Sequence, residues 1–125
     1  MSQLRSIEWI PQSDLCDDVI VWVDVCKLDS SWKNDQPYYI GPGVIGPGNG
    51  ERYKYDNFGL WLALENAVWM PQVCLEDGYV TFADGRHRFA WLRDHGMKSL
   101  PVAVCRECHE EISARFGVKT RISRI

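Results

Sequence analysis

The stretch YVTFADGRHRFAWLRDHGMKSLPVAV, residues 79–104, constrains the fold of this chain more than any other. Tyr79 to Phe82 are β-branched or aromatic and read as a short strand. Ala83-Asp84-Gly85 interrupts it, residues 86–95 read as a helix, and Gly96 supplies the left-handed residue that closes one. SLPVAV then reads as a buried strand. A helix that starts where a strand ends leaves unpaired backbone N–H groups pointing outward. The helix dipole adds partial positive charge at that end.

The first turn of this helix carries Arg86, His87 and Arg88. Each cation there costs a few tenths of a kcal/mol, roughly 0.3, and stability alone would place Asp or Glu instead. The conflict resolves if an anion occupies the site, because a phosphate accepts backbone N–H bonds, a guanidinium fork and an imidazole together. Gly85 would let backbone approach such a ligand closely. A purely structural alternative stands beside this. In it Asp84 caps the helix and pairs with Arg88, Arg86 lies in solvent, and Asp94 pairs with Arg93 or Lys98. Spacing leaves both open.

The remaining elements complete a mixed α/β pattern within 125 residues, a length that suits one domain over residues 1–125. Residues 19–25 read as a buried strand, and SSWKNDQPYYI as a turn followed by extended chain. GPGVIGPGNG, residues 41–50, must be a loop. A helix is expected from about Asn57, with Asp56 or Asn57 as cap and Phe58, Trp61, Leu62 and Leu64 on one side; Gly59 weakens its first turn. Just before it, ERYKY alternates Arg52 and Lys54 with Tyr53 and Tyr55. That fits an ordinary strand with one polar face, or a segment that grips phosphates and stacks on a base. Glu76-Asp77-Gly78 suits a tight hairpin, and CHEEISARFG reads as a last helix stopped by Gly117. The expected order is β, loop, α, β-hairpin, α, β, α. Six tryptophans supply core volume, Trp61 and Trp91 especially, since both fall in helices.

Composition narrows the function classes. Formal net charge is −3, so the chain is no globally basic nucleic-acid binder. Acids concentrate at Asp14, Asp17, Asp18, Asp24, Asp29 and Asp35, whereas Arg115, Lys119, Arg121 and Arg124 form a basic C-terminal tail. That tail reads as a solvated terminus or as a contact for DNA phosphates. No apolar run approaches the ~18 residues of a membrane span. The N-terminus lacks a signal-peptide pattern. Five cysteines fit a reducing compartment, so a cytoplasmic protein with free thiols is expected. Cys16, Cys26 and Cys74 read as small core residues. CRECH matches the haem-attachment pattern, and Cys105, Cys108 and His109 offer three zinc ligands, with His95 as a conceivable fourth. A strand-to-helix junction with Cys105 buried is the plainer reading.

DGRHRFAWLRDHGMKSLPVAV resembles the signature of the ParB/sulfiredoxin superfamily. In that family a strand leads to a Gly-x-His-Arg turn, an amphipathic helix, a Gly, and a strand opening on an apolar residue and Pro. Residues 19–28 resemble its first strand and GLWLALENAVWMPQV its helix-then-strand unit. Within the superfamily the pattern is most similar to plasmid fertility inhibition factors, small proteins that block conjugative DNA transfer. The matching features are the Gly-Pro-Gly loop after a Tyr pair, the Trp-rich helix and GRHRFAWLRDHG.

The resemblance implies a ParB/sulfiredoxin-like α/β domain with a short mixed sheet flanked by helices. It implies nucleotide phosphate held by Gly85, Arg86, His87 and Arg88, with ATP and Mg²⁺ as cofactors and a conjugation-machinery protein as partner. Some plasmid-borne relatives are reported as ATPases and DNases. Asp84, His87 and Arg88 would then be the catalytic set, Asp84 holding the cation. Arg86 stands where sulfiredoxins have their nucleophilic Cys, which argues against sulfinic acid reduction. The Glu before paired arginines of chromosome-partitioning ParB proteins is missing, as is their helix-turn-helix domain, which puts CTP-dependent sliding in doubt. Two other readings remain: a non-catalytic interaction protein, and a ParB-fold small-molecule kinase. The kinase needs a second carboxylate, for which Glu76, Asp77, Glu8 and Glu51 are the candidates.

Overall fold

A computed structural model describes residues 7–11, 18–43 and 52–119. Its mixed α/β architecture agrees with the pattern above, with two short elements and one helix that the sequence did not announce. In chain order the elements are β1 (Glu8–Ile10), β2 (Val19–Asp24), α1 (Val25–Trp32), α2 (Arg52–Leu64), β3 (Ala67–Trp69), β4 (Gln72–Glu76), β5 (Tyr79–Asp84), α3 (Arg86–Asp94), β6 (Ser99–Val104) and α4 (His109–Phe116). The main sheet is four-stranded in the order β2-β6-β4-β5, and β1 pairs with β3 in a second, two-stranded parallel sheet.

β6 is central, and all six of its residues are buried, which explains the unbroken apolar run SLPVAV. It runs antiparallel to β2 and parallel to β4. Pro101 is tolerated because of where its missing donor would point. The N–H of Ala103 donates to Pro71 O at 2.9 Å, on the β4 side. Position 101 faces that same side two residues earlier, before pairing with β4 begins at Gln72 and Ala103. The β4–β5 hairpin turns through Asp77 and Gly78 at φ 51° and 84°, the left-handed pair of a primed two-residue turn. Each outer edge of the sheet is met by one hydrogen bond from outside it. The Val80 N–H donates to Ser31 Oγ at 3.0 Å, and the Val118 N–H to Trp22 O at 2.9 Å.

Three expectations need correction. The strand read over residues 19–25 stops at Asp24, whose carboxylate accepts the Lys27 N–H at 2.9 Å and starts α1. Val25, Leu28 and Trp32 then share one buried helix face where turn and extended chain were expected. α2 begins at Arg52, so ERYKY is helical, and Arg52 and Asp56 pair at 3.5 Å along it. Its buried face is Tyr55, Phe58 and Leu62, while Trp61 and Leu64 point outward. Gly59 lies within this helix because a β-carbon there would stand 2.6 Å from Trp91 Nε1. The part of the Gly-Pro loop beyond Gly43, with Glu51, lies outside the described residues, as do Cys16, Arg121 and Arg124.

The core gathers around Trp32, which is fully buried and meets Tyr39, Phe82 and Phe89 edge-on at 4.6–5.7 Å. Beside it lies one buried cation. Arg93 Nη1 donates to Asp29 Oδ1 at 2.8 Å and to Ile40 O at 2.6 Å, and Nε donates to Asp94 Oδ1 at 2.9 Å. Asp94 Oδ2 also accepts from the Tyr55 hydroxyl at 2.8 Å and the Gly43 N–H at 3.2 Å, and Asp29 Oδ2 from the Tyr39 hydroxyl at 3.0 Å. Burial opposes the charge on Arg93, but its bonds to Asp94 and Asp29 outweigh that and hold its pKa above the ordinary arginine value. Burial first, and the neighbouring carboxylates second, push Tyr39 and Tyr55 up to about 12, so both remain donors at neutral pH.

Arg93→Leu removes the cation and leaves two buried carboxylates facing each other. Urea unfolding at pH 7 should show a loss of about 3–5 kcal/mol. An unchanged midpoint at pH 7 would show that the network is dispensable.

Candidate functional site

The junction between β5 and α3 is tighter than the sequence suggests. β5 runs through Asp84, a single residue follows, and α3 begins. That residue, Gly85, is left-handed at φ 86°. A β-carbon there would lie 2.8 Å from Arg88 Nη2 and 2.9 Å from Pro71 Cα. The glycine is thus required by the protein's own packing, before any ligand is considered. No side chain caps α3, and its first turn holds no acid. Asp84 bonds the Gly85 N–H instead, through Oδ1 at 2.9 Å.

The three basic residues at this end take different postures. Arg86 lies over the Tyr38 ring, its guanidinium carbon 5.2 Å from the centroid. His87 is buried. Arg88 turns back toward Asp84, with Nη2 3.6 Å from Oδ2, an ion pair rather than a hydrogen bond. Its Nε and Nη2 are buried without a hydrogen-bond partner. Burial lowers the Arg88 pKa and Asp84 raises it in part, but a guanidinium stays charged. Of the structural alternative, the Arg88–Asp84 and Arg93–Asp94 pairs form, and the Asp84 side-chain cap does not.

These residues line one wall of a cavity of about 700 Å³. Phe82 to Arg88 form that wall, and Lys54, Asn57, Phe58 and Trp61 of α2 stand with Trp69 of β3 on the rest. The structure therefore brings together Asp84, Gly85, Arg86, His87 and Arg88, all the expected site residues. It also adds three aromatics that had been assigned to the core or passed over. Trp61, expected inside, is 48% exposed, and Trp69 is 46% exposed. The expected inward side, Phe58, Trp61, Leu62 and Leu64, splits because Tyr55, Phe58 and Leu62 form the buried stripe, which leaves Trp61 and Leu64 off it.

Asp84 is the one carboxylate among the described lining residues. Glu8 and Asp77 lie elsewhere, in β1 and in the hairpin turn. Glu76 lines a separate hollow of about 190 Å³ with Asp35 and Cys74. No group of three or more His, Cys, Asp or Glu side chains among the described residues is placed to hold a metal ion. Asp84 alone fits only a Mg²⁺ that arrives with phosphate and keeps most of its water, the usual way this ion is bound.

The other candidates resolve as follows. Cys26, Cys74, Cys105 and Cys108 are free thiols, and Cys26 is exposed rather than in the core, because it falls on the outer face of α1. Burial, then the Cys108 thiol, pushes Cys105 up to about 12, and burial also raises Cys74, so both are poor thiolates. His95 stacks on Trp91 at 3.7 Å, and His109 Nδ1 lies 3.1 Å from Arg106 O. Of the basic tail, Arg115 is engaged with Glu111 at 2.9 Å and Gly78 O at 2.7 Å. No helix among the described residues is long and apolar enough to cross a membrane.

A family model described as Plasmid Fertility inhibition factor matches residues 20–117. Among solved structures, the crystal structure of Oncogenic Suppression Activity Protein, a plasmid fertility inhibition factor, in its gold(I) cyanide derivative, is similar in fold. The two align with a TM-score of 0.63 at 21% identity, over 85% of this chain and 60% of that one. The chain thus spans about three fifths of the length of that relative. No curated protein matches.

Gly85→Ala and Gly96→Ala separate backbone conformation from contact. Both glycines are left-handed, but Gly96 has nothing within 4 Å of a built β-carbon. Gly96→Ala should cost about 1–2 kcal/mol, and Gly85→Ala should exceed it by about 1–3 kcal/mol for the added overlap. Equal midpoints in urea would show that Pro71 yields without cost.

Proposed function

The chain belongs to the plasmid fertility inhibition factor family, and from that premise we propose that it blocks conjugative DNA transfer with a nucleotide phosphate held at the β5–α3 turn. The observation that carries this reading is Arg88. It is a largely buried cation at the uncapped, positive end of a helix, with Nε and Nη2 left without hydrogen-bond partners beside a cavity. A phosphate there accepts the first-turn N–H groups of α3 and the Arg88 fork, and its charge offsets Arg86 and Arg88. The strand, left-handed glycine and basic helix start are what a ParB/sulfiredoxin-like ancestry would supply. ATP with Mg²⁺ is the nucleotide this reading expects, the ion neutralising phosphate charge when bound. Asp84, His87 and Arg88 are the residues a hydrolytic activity on ATP or DNA would draw on.

A second reading, nucleotide binding without turnover, has its own support. Asp84 is the lone carboxylate of the lining, and both of its oxygens are engaged, by Gly85 and by Arg88. A carboxylate with both oxygens so engaged and no second carboxylate beside it is a weaker candidate for a general base. The same fact removes support from a small-molecule kinase. In the non-catalytic case the protein blocks a conjugation component by contact, with the basic tail as a further surface for DNA.

Calorimetry of the intact chain against ATP, CTP and GTP, with and without Mg²⁺, tests the proposal. Arg88→Ala should weaken binding about tenfold to a hundredfold, the loss of a charge-assisted contact. Its melting temperature should move little, since a partly exposed ion pair contributes about 0–1 kcal/mol. No heat with any nucleotide, or intact affinity in a destabilised Arg88→Ala, would overturn the reading. Phosphate release measured for Asp84→Asn then divides the two readings, because only a hydrolytic site loses turnover.

A further inference from the structure

We propose that Trp61 and Trp69 form a nucleobase platform, so that the cavity takes a whole nucleotide unit, base and phosphate, rather than an inorganic anion. The inference rests on the phosphate reading above and adds to it the identity of the ligand's other end. Its starting point is the polarity of the cavity. One wall carries the basic residues Arg86 to Arg88, and the rest of the lining includes the aromatic rings of Phe58, Trp61 and Trp69. A volume of about 700 Å³ lies within the roughly 300–1,000 Å³ range of small-molecule sites. A ligand complementary to both parts is anionic at one end and flat, apolar and aromatic at the other.

Two indoles left nearly half exposed in one concavity are unusual for a chain with room in its core for Trp32. They are also held in place. The Trp61 Nε1–H donates to Ala67 O at 3.1 Å, and Ala67 lies on β3, the strand that carries Trp69. That strand is pinned in turn by β1, with Trp69 opposite Ile10. The Trp61 N–H is thus occupied by backbone, which leaves the ring face as its contact surface. Both rings are attached to one short, paired strand, so little freedom is lost when a base stacks on them. Stacking of this kind is tolerant of base identity, because every base has a π-face. Lys54, on the same helix as Trp61, also lines the cavity and adds a further cation for phosphate oxygens.

The nucleotide unit could come from a free nucleoside triphosphate or from single-stranded DNA, and the test separates these sources. The intact chain is titrated with ATP, with inorganic tripolyphosphate, and with a short single-stranded deoxyoligonucleotide. ATP should bind more tightly than tripolyphosphate by roughly 5- to 100-fold, the range expected for one stacked base. Trp61→Ala and Trp69→Ala should each erode that ratio while leaving tripolyphosphate affinity unchanged. Trp61→Phe, which keeps a ring without the N–H, should restore most of it. Oligonucleotide binding that depends on the tryptophans and exceeds that of ATP would assign the site to DNA and still support the platform. Equal affinities for ATP and tripolyphosphate, or tryptophan variants that weaken both alike, would overturn the platform and leave the phosphate reading standing. Failure of all three probes to bind would overturn both.

Discussion

The structure depends on one buried cation shared between two carboxylates. Arg93 sits in the last turn of α3, where the helix dipole favours positive charge. From there it ties α3 to α1 through Asp29 and to the chain at Ile40, while Asp94 draws in Tyr55 of α2 and Gly43. Four segments far apart in sequence therefore share one set of hydrogen bonds. Desolvating three charges is offset by the bonds that Arg93 Nη1 and Nε and all four carboxylate oxygens make, although Arg93 Nη2 is left without a partner. The position of α2 against α3 follows from this cluster and from the Gly59–Trp91 approach, and the cavity is the space that arrangement leaves at the opposite end of α3.

The two ends of α3 thus follow opposite rules. At its C-terminal end the sequence obeys the dipole and compensates its charge. At its N-terminal end three basic residues gather where the dipole disfavours them, and the nearest carboxylate, Asp84, caps no helix N–H and pairs with Arg88 at 3.6 Å. A helix optimised at one end and strained at the other shows that the strain is local to the site and not a general tolerance of this sequence.

Much of the fold was legible from short-range signals. Gly78, Gly96 and Gly117 marked the hairpin and the ends of α3 and α4, and the apolar run of β6 announced a central strand. The cluster of Asp84 to Arg88 was legible too, because those residues are consecutive and chain connectivity alone brings them together. What stayed hidden depended on long-range choices. Asp24 caps α1 inside a β-branched run that reads as strand to its end. ERYKY alternates like a strand, yet Tyr55 belongs to the spacing of Phe58 and Leu62. The Arg93–Asp94 pair could be read from adjacency, but Asp29 is 64 positions away and nothing local points to it. Trp61 was misplaced for the same reason: its helix face is fixed by Trp91 and β3, neither of which its own neighbours reveal.

The treatment of the sheet margins has a consequence for how this protein can meet others. Ser31 takes a donor from β5 at one margin, and the chain after α4 returns to β2 at the other, with Gly117 bridging Val23. Neither border offers the uninterrupted ladder of free amides and carbonyls that an incoming strand needs. An incoming strand would meet these interruptions at Val80 on one border and at Trp22 and Val23 on the other, which disfavours β-augmentation there. The exposed helix faces and the cleft instead present side chains, where a single substitution alters the surface without touching the backbone.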